Sequence, residues 1–283
     1  ATASALSNCS LTAQVSTKPN RSHLVTGRTA LILPCLGRSE KDHTSVGEQF
    51  VSVENSMGVV HSSRGSSKPA SRLLRSEPSI VSGIAGALDT RIGRSGIPWQ
   101  NLSEDYDKVR DMIEATIPGF ENYNERVRLD GGFYLPNPPR DSRTFPTESG
   151  YANFRVHDLS GASVGTGQYL MMTIRSHDQY NTTIYGLDDR YRGINKGRRV
   201  VLMNQSDMDE NDWLEGDLVD LTSHFEGTEL HAREWYIVPY EIPKGNIATY
   251  FPEANVLVPL DSVAEGSNTP TSKSVVVSIR ATD

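Results

Sequence analysis

Cysteine is scarce in this sequence: Cys9 and Cys35 are the only two in 283 residues. Two thiols cannot build a four-thiolate zinc or iron–sulfur site by themselves, and they do not form a secreted disulfide framework. Long apolar runs are also lacking. Hydrophobic residues make up 36% of the chain, and no unbroken stretch approaches the roughly 20 residues that span a bilayer. A soluble, cytoplasmic globular protein without a membrane span is the expectation. Basic excess is absent too. The formal net charge of -7 argues against a non-specific nucleic-acid surface, so no nucleic-acid partner is expected, although a local basic cleft could still receive phosphates.

Several familiar motifs are missing as well. His177, His224 and His231 make no H-x-H or H-E-x-x-H arrangement, so no protein-ligated metal is expected. Ser63-Arg64-Gly65-Ser66-Ser67-Lys68 has the wrong order and spacing for a P-loop. No acid–base pair or nucleophile triad can be assembled, and no catalytic residue is assigned. The first residues carry neither a basic segment nor a long apolar core, so no signal peptide is expected in them. A helix fragment running at once into a strand-like segment reads as a start in the middle of a domain, which fits a fragment.

What is present falls into two characters. Residues 11–17 lean towards β-structure. Residues 30–34, Ala-Leu-Ile-Leu-Pro, form a nearly continuous apolar run that suits a buried parallel strand. Residues 49–53 suggest another strand, and the Ser-, Gly- and Lys/Arg-rich stretch 61–71 reads as loop. Ser76 can cap a helix with Pro78 in its first turn and Ile80, Ile84 and Leu88 at four-residue spacing. A stronger helix is expected after Ser103, with an acidic first turn, one face made by Tyr106, Val109, Ile113 and Ile117, and a stop at Pro118-Gly119. Residues 1–128 therefore read as part of a parallel-sheet α/β domain.

From Val127 onward helix signals nearly vanish. Strands are expected at 169–174, 199–203, 218–222, 235–239, 255–259 and 274–279, separated by Gly, Pro, Asn and Asp turns. A flexible loop is expected at 161–167. Many short strands in residues 129–283 mean a barrel or a sandwich.

The densest polar constellation follows the 169–174 strand. It comprises Arg175, Ser176, His177, Asp178, Gln179, Tyr180, Asn181 and Thr182. Loops at the end of a rigid strand commonly carry sites, and a guanidinium can pair bidentately with phosphate. The bland alternative is a hydrogen-bonded turn in which Arg175 pairs with a nearby aspartate. Residues 204–207 read more simply as a helix start capped by Ser206 or Asp207. The tail segment with Asn268 and Lys273 could meet an anion, or it could be an ordinary exposed lysine turn.

Longer strings are more specific. STKPNRSH from Ser16, LILPCLGR from Leu31, RSHDQYNTTIYG from Arg175, YFPEANVLVPLD from Tyr250 and SNTPTSKSVVV from Ser267 together resemble the C-terminal portion of formate-dehydrogenase-like alpha subunits of the molybdopterin oxidoreductase family. The similarity is strongest to the branch that includes an acid-resistance-associated oxidoreductase, and it covers nearly the whole chain. The resemblance implies a double-psi β-barrel in residues 129–283 that closes over two molybdopterin guanine dinucleotides carrying molybdenum, or sometimes tungsten. It implies cofactor contacts from Arg175, Ser176, His177, Gln179, Tyr180, Asn181 and Thr182, and later from Asn255, Asn268 and Lys273. Tyr151, Asn181, Val258 and Ser272 depart from residues common in the broader family, which puts individual contacts in question. Any iron–sulfur cluster and the molybdenum ligand would lie outside this chain, on a missing N-terminal catalytic portion or a second polypeptide, with an electron-transfer partner beyond. The chain is thus expected to be part of an oxidoreductase and not a catalyst by itself. The alternative is a non-catalytic β-barrel binding or scaffold module.

Overall fold

Short runs of β-branched and long apolar residues become strands in this molecule, and small polar residues set where its helices begin. The computed structural model describes residues 2–93, 95–156, 163–180 and 185–282. They divide into two units, Thr2–Val156 and a second running from residue 157 onward.

In the first unit, α1 (Ala3–Ser7) leads into β1 (Leu11–Ser16), which pairs in parallel with β2 (Thr29–Pro34). The parallel pairing matches the sequence expectation, but the burial does not. Leu31 and Ile32 of β2 are 47% and 53% exposed. A sheet of two strands has too little neighbouring structure to cover its faces. β3 (Asp42–Thr44) and β4 (Gly47–Gln49) form a hairpin. β5 (Val51–Glu54), β6 (Val59–Ser63) and β7 (Phe133–Tyr134) form an antiparallel sheet. Residues 61–63 are therefore strand where loop was expected, because cross-strand pairing such as Val53↔His61 overrides their polar character.

Ser76 caps α2 (Glu77–Ile92) as expected, its hydroxyl accepting from Ser79 N, with Pro78 in the first turn. The stronger helix starts later than expected. Residues 99–104 already form α3 (Trp99–Glu104), and Asp105 then leaves the helical region and caps α4 (Tyr106–Thr116) by accepting from Asp107 N. α5 (Tyr123–Arg126) and α6 (Pro138–Ser142) complete the helices of this unit. Its core is small: Phe50, Val60, Tyr123, Val127 and Phe133. Arg110 is buried against it, with its guanidinium 4.1 Å from the centre of the Phe50 ring.

The second unit closes into a six-stranded barrel. Its strands are β8 (Gln168–Ile174), β9 (Val200–Met203), β10 (Leu218–Phe225), β11 (Thr228–Pro239), β12 (Asn246–Tyr250) and β13 (Val275–Ala281), in the order β10-β11-β9-β12-β8-β13. Two of its six pairings, β11·β9 and β12·β8, are parallel and the other four are antiparallel, and the fold is a double-psi β-barrel. β9 is apolar at every position because it is covered on both sides. Val201 and Met203 join the main cluster with Met171, Leu221, Ile237 and Val277, while Val200 and Leu202 join a second one with Ile194 and Tyr250.

Two expectations fail here. Residues 253–257 wind as a 3-10 helix in place of the expected strand at 255–259, and its period of three turns Ala254 and Leu257 inward while Asn255 and Val256 stay exposed. The short helix α7 (Gln205–Glu210) is capped by Asn204, which accepts from Ser206 N, and not by Ser206 or Asp207. The loop expected at 161–167 lies partly outside the described residues. No described helix is long and apolar enough to cross a membrane.

Candidate functional site

Strand register gathers the expected residues at one end of the barrel. β8 and β12 run in parallel, and their last residues, Ile174 and Tyr250, are partners. β9 runs antiparallel to β12, with Thr249 opposite Val201, so β9 begins at the rim where β8 and β12 end. β13 runs antiparallel to β8 and begins there too, with Val275 opposite Met171. The segments after β8, before β9, after β12 and before β13 therefore share one rim. Contacts close the arrangement across 100 residues of sequence: the Lys273 ammonium donates to the Thr173 carbonyl, and Thr173 N donates to Ser272 O at 2.9 Å.

Under this rim lies an arginine that sequence reasoning missed. The Arg198 side chain is 4% exposed. Its Nε donates to Glu253 Oε1 at 3.0 Å, Nη1 to Ser176 Oγ at 2.9 Å, and Nη2 to Gln179 Oε1 at 2.9 Å and Phe251 O at 3.0 Å. Tyr185 and Tyr250 present their rings to it at 3.9 and 4.7 Å. Gln179 Nε2 also donates to Phe251 O at 2.9 Å. Gly197, immediately before Arg198, has no room for a Cβ, which would fall 1.9 Å from Tyr236 Oη.

A second buried group, Asp189, holds the neighbouring loop. Arg192 Nη1 donates to its Oδ2 at 2.7 Å, Tyr250 Oη donates to the same oxygen at 2.8 Å, and Tyr191 N donates to Oδ1 at 3.2 Å. His177 Nδ1 lies 3.3 Å from Oδ1, and the His177 ring packs against Tyr191 with centroids 4.4 Å apart. Burial pushes the Asp189 carboxyl up, but the donors from Arg192, Tyr250 and His177 and the Arg192 charge outweigh it and hold the group below its ordinary range. Burial and then the hydrogen bond to Asp189 push the Tyr250 phenol up.

The expected residues thus separate by what they touch. Ser176 and Gln179 are tied into the Arg198 cluster, and His177 into that of Asp189. Arg175 and Tyr180 are exposed. The Arg175 guanidinium makes no hydrogen bond or ion pair to any described residue, so the pairing with a nearby aspartate that the bland reading required is not found among them: Asp178 lies 3.7 Å from Arg190 and Asp189 is engaged by Arg192. Asn255 is exposed on the 253–257 turn, and Asn268 is exposed at positive φ in the loop before β13. Asn181 and Thr182 lie outside the described residues. Arg198, Asp189 and Glu253 carried no motif; the signal available for Arg198 was a Gly-Arg-Arg step directly before an all-apolar strand.

The first unit contains a cavity of about 480 Å³ whose lining includes Lys41, Lys68, Arg72 and Arg75, and none of the expected site residues.

Comparison with known proteins gives this rim a context. Residues 169–276 match the model of the molydopterin dinucleotide binding domain, and every expected contact residue falls inside that span. An uncharacterized oxidoreductase of Mycobacterium tuberculosis is 50% identical over 287 residues, covering 99% of this chain and 36% of that protein. Protein YdeP of Escherichia coli K12 is 42% identical, covering 99% of this chain and 37% of its own length. The chain therefore spans little more than a third of the curated relatives it matches. Among solved structures, acetylene hydratase from Pelobacter acetylenicus superposes with a TM-score of 0.53 over 89% of this chain and 38% of that one, at 12% identity, a likeness of fold alone.

Proposed function

This chain belongs to the molybdopterin oxidoreductase family, and from that premise we propose that its barrel holds one end of a pair of molybdopterin guanine dinucleotides bearing molybdenum or tungsten. The function lies in the barrel, within the expected 129–283 span, and residues 1–128 form part of an α/β domain whose compact unit runs on to Val156. The reaction is a two-electron, formate-dehydrogenase-like oxidoreduction in the cytoplasm. The remaining length of the polypeptide, or a second polypeptide, supplies the metal ligand, any iron–sulfur cluster and the route to an electron-transfer partner.

The observation that carries this reading is the placement of two cations, Arg175 and Lys273, at one barrel rim within the matched span, with the Arg175 guanidinium exposed and unpaired among the described residues. The donor set fits a pterin dinucleotide. Its phosphates need cations, and its ring edges need both donors and acceptors. Beneath the rim, Glu253 Oε2 and Arg192 Nε are buried with no hydrogen-bond partner among the described residues, an acceptor and a donor that a polar ligand can satisfy.

When bound, the cofactor supplies the redox chemistry. The chain's own residues bind and orient. Arg175 pairs with a phosphate through its planar fork, and Lys273 adds a point charge beside it. Tyr180, Asn181, Thr182, Asn255 and Asn268 offer hydroxyl and amide groups to the heterocycles. Ser176, His177 and Gln179 give the loop its shape. The acidic net charge is no obstacle, because phosphate recognition here is local.

The test is intact mass with metal and pterin analysis on protein isolated gently from its native source. Stoichiometric molybdenum or tungsten with pterin guanine dinucleotide, on a polypeptide longer than this chain or alongside a second one, is the expected result. Protein carrying neither pterin nor metal would contradict it and favour a non-catalytic binding module.

A further inference from the structure

We propose that Arg198 is the positioning residue of this site: one buried guanidinium that fixes the loop after β8 and the segment after β12 in the shape that receives the dinucleotide. This rests on the function proposed above, but its geometry stands by itself. Arg198 places its donors on Ser176 and Gln179 of the first segment and on Phe251 and Glu253 of the second, all between 2.9 and 3.0 Å. The two segments are more than 70 residues apart in sequence, and each carries candidate contacts, Arg175 and Tyr180 on one and Asn255 on the other. A planar fork flanked by two tyrosine rings can bridge them; a lysine ammonium, with three donors on a single nitrogen, cannot reach the same four acceptors.

The neighbouring arginine supplies an internal control. Arg199 is largely exposed, and its ion pair among the described residues is a loose 3.8 Å contact with Glu234. Two adjacent arginines thus have opposite surroundings, and only the buried one joins the two segments. Because its side chain is enclosed, Arg198 acts on the ligand through the backbone and side chains it holds.

Removing Arg198 alone leaves the half-buried Glu253 carboxylate without its cation and threatens folding. The informative variant is therefore Arg198→Met with Glu253→Met, made in the full-length protein that carries this chain, beside Arg198→Lys and Arg199→Met. Hydrogen exchange at the amides of residues 175–180 and pterin dinucleotide retained per protein are measured together. In the double variant, exchange in β8, β9 and β12 should stay as in the wild type. Protection of the Gln179 amide should fall about tenfold, as expected for losing hydrogen bonds to a charged group, and dinucleotide should be lost about tenfold faster. Arg198→Lys should show the same defect more mildly, and Arg199→Met should show neither. Unchanged protection at 175–180 in a folded double variant, full rescue by lysine, or an equal defect in Arg199→Met would each overturn the proposal. A wild-type protein without dinucleotide would overturn the functional reading instead, and the exchange comparison would still decide whether Arg198 holds the loop.

Discussion

The two units of this chain reach order by different means. In the barrel, Met171, Val201, Leu221, Ile237, Ile247 and Val277 are completely buried, and Trp235 nearly so. In the first unit Val127 is the one described apolar side chain buried to that degree. That unit relies more on polar packing: Arg110 donates to Asn124 Oδ1 and Phe50 O, pairs with Asp107, and lies over the Phe50 ring. It also leaves Val81, Ile84, Leu88 and Ile92, a stripe along α2, half or more exposed. A closed barrel removes its own strand edges and buries its interior, whereas a two-stranded sheet and a lightly packed helix cannot. The closed, more deeply buried unit is the one that carries the candidate site, and its rim loops spring from the ends of paired strands.

Substitutions can break this contrast. Trp235→Ala should produce the largest effect, a loss of about 3–5 kcal/mol in urea unfolding followed by circular dichroism. Val127→Ala should cost about 2 kcal/mol, two methyl groups plus a small cavity, and a loss as large as that of Trp235→Ala would erase the distinction.

The rim's acidity gives a smaller, pH-dependent effect. Asp189 has its folded value depressed, so its contribution to stability is present above the unfolded carboxyl value of about 3.9 and is lost as pH falls through the lower folded value. Melting temperature followed in wild type and Asp189→Asn should therefore differ by a constant amount between pH 5 and 8, and the gap should narrow below about pH 4. A gap that closes near pH 6 would mean the carboxylate is not held by Arg192 and Tyr250. Smallest of all, Leu88→Gln on the exposed stripe should change stability by no more than about 0.5 kcal/mol in this chain. A larger loss would mean that this stripe is buried in solution.

Much of this fold was legible because local pattern and tertiary role agree. The runs that became β1, β2, β8, β9 and β13 are apolar or alternating and end in turn residues, and Ser76 caps its helix as its neighbours imply. Asn246–Tyr250 was missed because one isoleucine among polar and small residues gives no alternation, yet pairing on both sides makes it a central strand. The segment after it looked β-like because Val256, Leu257 and Val258 are apolar in sequence, while the 3-10 winding sorts them by a different period. At the site, a dense polar loop and a specific string pointed to Arg175 and its neighbours. Arg198 and Asp189 did not stand out, because a buried charge is defined by partners that barrel closure brings from distant sequence.

Two arginines at opposite ends of the barrel test the central claim most directly. Arg175 lies just past the end of β8, at the candidate rim, and Arg280 lies near the end of β13, at the far end, where its partner on β10 is Asp220. In the full-length protein, Arg175→Met should lower the pterin dinucleotide retained per protein about tenfold, while Arg280→Met should retain it at the wild-type level. Equal retention in both variants, or equal loss in both, would contradict a dinucleotide site at this rim.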